Sequence, residues 1–239
     1  MTFSERARAE EWMDDTSVAE PHLRETLQNL RWINRWLGGY RASRNRLAPL
    51  LATRSSLRVL DVGTGGADYL PEVVRWGQAA RCSVSAVGVD RNPVTVGHGR
   101  AWLDASLSSP LRERVRIDRA DALALPYPDN AFDVGHAALF LHHLYDEQAC
   151  RLLQELDRVS RLGILINDLH RHLLAYAGIW TLARLLKFSP MVQHDAPLSV
   201  RRGFQRGDLH ALAARAGLPS ARVKWHWAFR WTLSTLPSA

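Results

Sequence analysis

The stretch Val59-Leu60-Asp61-Val62-Gly63-Thr64-Gly65-Gly66-Ala67-Asp68 decides how the rest of the chain is read. Its first half belongs to a short apolar run, 57–63, stopped by glycines, as expected of a strand buried inside a parallel sheet. The glycines let the backbone turn tightly and approach a ligand just beyond the carboxyl end of that strand. A dinucleotide site would place a third glycine at the sixth position of G-x-G-x-x-G, to seat a diphosphate on a helix N-terminus. Here that position is Asp68, and Asp61 precedes the first glycine by two residues. Both carboxylates would repel a diphosphate. A ligand carrying an ammonium and a sulfonium suits this acidic loop better.

Working outward, the chain alternates strand and helix. SVSAVGVD (83–90), RVRIDRAD (114–121), FDVGHAAL (132–139) and LGILINDL (162–169) read as four further strands, with helical stretches around 68–80, 94–107 and 146–160 between them. Strands separated by helices of this length make βαβ units and a mostly parallel sheet. A helix near 207–216 and two strands within 221–235 close the chain. The fold class expected is therefore α/β: a Rossmann-like, seven-stranded, mostly parallel sheet with an antiparallel C-terminal hairpin. Residues 1–53 read as helical and precede every strand. Leu23, Leu27, Leu30, Ile33, Trp36 and Leu37 recur at three and four, one apolar face that Gly38-Gly39 then ends.

Two more acids stand at successive strand ends. Asp90 closes the second strand, where a carboxylate can accept both hydroxyls of a ribose. Asp121-Ala122 follows the third, where a side chain can meet the edge of a base. Glycine loop and acids, in this order, resemble the class I S-adenosylmethionine-dependent methyltransferases over about residues 55–170, VLDVGTGGAD matching their D-x-G-x-G motif. DALALPYPDNAFDVGHAALFLHHL is similar to the ubiquinone/menaquinone-biosynthesis-type small-molecule methyltransferases. The resemblance implies S-adenosyl-L-methionine as cofactor. It puts Asp61, Gly63 and Gly65, with Thr64 between them, at the methionine part. Asp90 and the adjoining Arg91 fall at the ribose, Asp121 and Ala122 at the adenine, and Ala138 along the sulfonium. Ala67 departs from the glycine that many members carry.

The acceptor side is less defined. After the fourth strand comes Ala137-Ala138-Leu139-Phe140-Leu141-His142-His143, without the N/D-P-P-Y/F motif of enzymes that methylate base amines or glutamine. Three histidine groups follow strand ends or lie beyond them: His142-His143, His170 and His172 beside Asp168, and His194-Asp195. Imidazole titrates near neutral pH, so one of His143, His170 and His194 is expected to be a general base, the others capping helices or packing. The apolar helix 171–187 is either buried on the sheet or, with helix 23–37, roofs an acceptor pocket in which Trp32, Trp36, Tyr176 and Trp180 could stack on a ring. The division expected is a helical lid, 1–53, hinged at Gly38-Gly39, and a methyltransferase domain, 54–239, with a helical acceptor-side insertion at about 170–205.

Composition bounds these readings. The 239 residues, 46% hydrophobic, suit one domain with an added arm. The net charge of +7 raises the question of nucleic acid, but all 31 basic residues except Lys187 and Lys224 are arginine, scattered without blocks. Cys82 and Cys150 form no metal or disulfide pattern, the first fifteen residues are too charged for a signal peptide, and Leu173 to Ala183 is too short to span a bilayer. A soluble cytoplasmic enzyme of secondary metabolism is expected. It would methylate, at oxygen, a small, largely apolar aromatic, polyketide-like or quinone-like acceptor. No metal is implied, nucleic acid is not expected as a partner, and a homodimer is compatible. The alternatives are an RNA or protein methyltransferase and a non-catalytic S-adenosylmethionine-binding subunit.

Overall fold

The computed structural model describes residues 3–15 and 20–237. Seven strands form one sheet in the order β3-β2-β1-β4-β5-β7-β6: β1 (Ser56–Val62), β2 (Ser83–Asp90), β3 (Val115–Arg119), β4 (Phe132–Ala138), β5 (Ser160–Leu169), β6 (Arg222–His226) and β7 (Arg230–Ser234). The first five pair in parallel, and β7 runs antiparallel to both β5 and β6. The strand order reverses direction beside β1, so β1 and β4 part at their carboxyl ends and leave a crevice there, where open α/β sheets bind ligands.

The helices in chain order are α1 (Glu20–Trp36), α2 (Gly39–Thr53), α3 (Tyr69–Ala79), α4 (Pro93–Ser106), α5 (Ser109–Arg112), α6 (Asp146–Val159), α7 (Leu173–Leu185), α8 (Pro190–Arg202) and α9 (Arg206–Arg215). Each begins where its sequence allows. Asn92 caps α4 by accepting from the amides of Val94 and Thr95, with Pro93 as first helical residue, and Ser189 with Pro190 does the same for α8.

Two apolar layers cover the sheet. Leu60, Leu152, Leu153, Leu156, Ile164 and Leu209 belong to one, Leu47, Leu57, Val59, Leu70 and Leu103 to the other. A third, smaller cluster joins Ile33 of α1 to Ile179 and Ala183 of α7 and Val192 and Val200 of α8. The N-terminal region is therefore divided. Gly38, in the left-handed region at φ 74°, separates α1 from α2. Leu47, Leu50 and Leu51 of α2 lie in the sheet's own core, so α2 packs with the sheet rather than over it. The apolar α7 is not a buried helix either: Leu173, Leu174 and Leu185 are exposed and only Ile179 and Ala183 are buried. No helix among the described residues is long and apolar enough to cross a membrane.

Candidate functional site

The carboxyl ends of β1 and β4, helices α1, α2, α7 and α8, and the β6–β7 turn enclose a cavity of about 640 Å³. Its floor is the glycine loop after β1. Gly63 and Gly65 adopt φ of +67° and +51°, and a methyl group on Gly63 would lie 2.4 Å from the Phe140 ring. Only glycine meets both demands. Leu27 of α1 lies over Gly65 and Gly66. Leu30, Ile33 and Leu37 continue the roof along α1, and Ala175, Ile179 and Leu182 extend it from α7.

Acids ring the loop. Asp61, 3% exposed, accepts from Thr64 Oγ1 at 2.7 Å and pairs with His136 Nδ1 at 2.7 Å. His136 is fully buried beneath Tyr69 and meets Ser43 at 2.8 Å through its other nitrogen. Asp68 accepts from Tyr40 at 2.7 Å and from Asn34 Nδ2 at 3.1 Å. Each carboxylate keeps lone-pair capacity beyond these bonds, Asp68 on its Oδ1. Asp90 accepts from the amides of Gly65 at 3.0 Å and Asn92 at 2.9 Å, bracing the loop from β2, and burial pushes its carboxyl up from the ordinary range.

Of the cofactor residues expected from sequence, Asp61, Gly63, Thr64, Gly65 and Ala138 line the cavity. Asp90, Arg91, Asp121 and Ala122 do not; they stand at the ends of β2 and β3, on the same edge of the sheet. Asp121 is exposed and accepts from the amide of Leu123, Arg91 is exposed, and Ala122 is buried.

The histidines divide sharply. His143 lines the cavity. His170 does not: it pairs with Trp225 Nε1 at 3.3 Å and packs edge-on against Trp231, so the expectation of a base there is withdrawn. His194 is withdrawn too, because α8 turns it outward, where it stacks on Trp12 at 4.2 Å and pairs with Asp195. Trp32, Trp36, Tyr176 and Trp180 are likewise absent from the lining. On α1 the positions 30, 33, 34 and 37 share the inner face, which leaves 32 and 36 on the outer one. The rings that do line the cavity are Tyr40, Tyr69, Trp225, Trp227 and Phe229.

Several lining groups were not singled out as site residues in the sequence, although His142 stands in one of its histidine groups. His142, 2% exposed, is held through Nδ1 by Asp168 at 2.7 Å, and Asp168 also accepts from the His142 amide. The signal was present: acid and imidazole stand at the carboxyl ends of adjacent strands. Glu11, 2% exposed, reaches the same corner from the N-terminal segment, and burial raises its carboxyl to about 7. Nothing local in the sequence marks it. Arg230, also buried, donates to Leu37 O at 3.1 Å and, at 3.4 Å, to Asn34 Oδ1, while its Nη1 has no partner. Burial pulls its pKa down to about 10. Asn167 donates to Gly39 O at 2.6 Å and to Ser43, leaving Oδ1 unpaired. A buried donor and a buried acceptor thus await partners in the same cavity.

Comparison with known proteins bears on this geometry. A family described as a methyltransferase domain matches residues 59–163. Demethylmenaquinone methyltransferase of a Roseiflexus species is 34% identical over 178 residues, covering 69% of this chain and 69% of that enzyme. 27-O-demethylrifamycin SV methyltransferase of Amycolatopsis mediterranei is 32% identical over 121 residues, 48% of this chain but only 42% of the relative. In fold, an S-adenosylmethionine-dependent methyltransferase from Aquifex aeolicus superposes with a TM-score of 0.62 at 16% identity, over 88% of this chain and 96% of that one. With its glycine loop, strand order and relatives in agreement, the chain belongs to the class I S-adenosylmethionine-dependent methyltransferases, of the quinone-biosynthesis kind.

Proposed function

We propose that this protein methylates a hydroxyl group of a small, largely apolar aromatic, polyketide-like or quinone-like acceptor. The observation that carries the reading is the cavity itself: an apolar roof and walls, a glycine loop on the floor, and one polar corner formed by Glu11, His142 and His143. Its volume falls within the range of small-molecule sites.

The residues fit S-adenosylmethionine. Its zwitterionic methionine end needs a cation for the carboxylate and acceptors for the ammonium; Arg230 Nη1 and Asn167 Oδ1 are buried without partners, and Asp61 and Asp68 stand by. Asp90 and Asp121, at the adjoining strand ends, are placed for the ribose and the adenine. When bound, the cofactor supplies a methyl group on a sulfonium, electrophilic enough to need only a well-aimed nucleophile.

The chain's own part is positioning and proton removal. The apolar roof from α1 and α7 would hold the acceptor in line with the methyl group. His142 lines the cavity and Asp168 fixes its tautomer through Nδ1, leaving Nε2 beside Glu11 as the nitrogen that would take the acceptor's proton. His143, tied to Asp14 at 2.7 Å, stands beside it.

Methyl transfer from labelled S-adenosylmethionine to a panel of phenols, hydroxyquinones and hydroxylated macrolides tests the reading. Label in an ether product supports it. Label only at carbon or nitrogen, or only in RNA or protein, overturns it.

A further inference from the structure

Three side chains far apart in sequence converge at the polar corner of the cavity. Glu11 Oε1 lies 3.6 Å from His142 Nε2, and Glu11 Oε2 lies 3.9 Å from His143 Nε2. One donor atom from each of the three fits within 4.8 Å of the others. Neither Glu11 Oε1 nor His142 Nε2, both buried, has a hydrogen-bond partner. Two lone-pair atoms facing each other across 3.6 Å repel, unless a proton, a water or a cation sits between them.

Each imidazole is also oriented from behind. His142 Nδ1 meets Asp168 Oδ1, and His143 Nδ1 meets Asp14 Oδ1, both at 2.7 Å. A carboxylate on Nδ1 keeps the proton on that nitrogen and turns the Nε2 lone pair outward, the arrangement found behind metal-ligating histidines. We propose that Glu11, His142 and His143 bind a divalent first-row transition ion such as zinc. Two imidazoles and one carboxylate suit such an ion, whereas calcium and magnesium prefer oxygen throughout. Ligand bonds of about 2.0–2.2 Å put neighbouring donors roughly 3–3.6 Å apart, so the His142–Glu11 pair is already spaced and His143 needs only a small shift. Arginines share the neighbouring carboxylates: Arg202 pairs with Asp14 at 2.9 Å and approaches Glu11 at 3.6 Å, and Arg6 and Arg230 act on Asp168, so the ion would be held by its ligands rather than by a surplus of negative charge.

All three ligands line the cavity, so the ion's open position faces the acceptor. This role rests on the methyl-transfer reading and replaces one step of it, because an Nε2 bound to the ion cannot also take the acceptor's proton. The ion binds the acceptor's hydroxyl oxygen and lowers its pKa, so the O–H proton leaves to water rather than to His142. The oxygen then forms its bond to the methyl carbon as the sulfur–methyl bond breaks, giving an ether and a thioether.

The test uses untagged, chelator-treated protein titrated with cobalt(II), followed by visible absorption with no cofactor or acceptor present. One cobalt per chain, displaced by zinc, is expected. Glu11→Gln and His143→Asn should each weaken it at least tenfold while S-adenosylhomocysteine still raises the melting temperature. A wild-type protein that responds to S-adenosylhomocysteine but takes up no cobalt overturns the metal site and leaves the methyltransferase reading standing. Equal cobalt binding by wild type and both variants also overturns it, as adventitious. Cobalt bound at this site by a protein that methylates no hydroxylated acceptor keeps the site and sinks only the proposed reaction.

Discussion

Gly63 shows how one residue serves two demands at once. Its φ of +67° lies where other residues are strained, and the Phe140 ring occupies the space a methyl would need. Gly63→Ala should cost about 2–4 kcal/mol, adding left-handed backbone strain to overpacking. Urea denaturation measures it, with Gly97→Ala as the control, since a methyl there meets nothing within 4 Å. The control should lose nothing, since Gly97 lies inside α4, and a Gly63→Ala variant that also loses nothing would show that the loop is not held against Phe140. Arg230 poses a different question. With Nη1 unpaired, Arg230→Met removes a buried cation that has no carboxylate bonded to it. If Arg230 receives the cofactor's carboxylate, affinity for S-adenosylhomocysteine should fall at least tenfold, a charged hydrogen bond being worth about 1.5–3 kcal/mol. Calorimetry on the folded variant decides, and unchanged affinity would reassign Arg230 to the fold alone.

At the scale of elements, α1 and α2 differ in what they touch. Leu27 and Ile33 of α1 face the glycine loop and the α7–α8 cluster, whereas α2 is packed into the sheet. If α1 is the lid, S-adenosylhomocysteine should slow hydrogen exchange in α1 far more than in α2. Equal protection of both helices without ligand, unaltered by it, would make α1 ordinary scaffold. Helix α6 offers a pH test. Arg158 hydrogen-bonds the buried Glu155 carboxylate at 2.8 and 3.1 Å and holds its pKa below the ordinary value, while Glu155 also accepts from the Leu125 amide. Because the folded pKa is the lower one, this stabilisation is full above about pH 4.5 and fades as pH falls through the folded value. Urea midpoints at pH 7 and about pH 3 should therefore differ less in Glu155→Gln than in the wild type.

Across the whole molecule, the surplus of arginine finds an internal explanation. Arg6, Arg158, Arg171 and Arg202 donate to backbone carbonyls between elements, Arg171 to Phe3, Ser4 and Gly203 among them. Their charge serves the fold as much as the surface, which weakens +7 as a sign of nucleic acid. S-adenosylmethionine and S-adenosylhomocysteine should raise the melting temperature by mass action, and NAD should not. A shift with NAD alone would contradict the cofactor that the fold and its relatives indicate.

Much of the architecture was legible in the sequence because it is local. Alternating apolar runs, glycines at a strand end and acids after successive strands announce a parallel sheet and its cofactor edge over a few residues each. The hairpin of β6 and β7 and the glycine loop stand where these patterns put them. The corner of the cavity is a different matter. Glu11, Asp14, His142, His143 and Asp168 come together only because the N-terminal segment crosses the ends of β4 and β5, a long-range closure that leaves no period or spacing in the chain. The same holds for His170 and His194, whose neighbours in sequence point toward the site and whose backbone turns them away. Helical phase likewise decided which rings of α1 meet the cavity, since an angular offset of one residue moves a tryptophan from the inner face to the solvent. Short-range periodicity is written in the order of residues; which distant side chains share a pocket is set by how the elements pack.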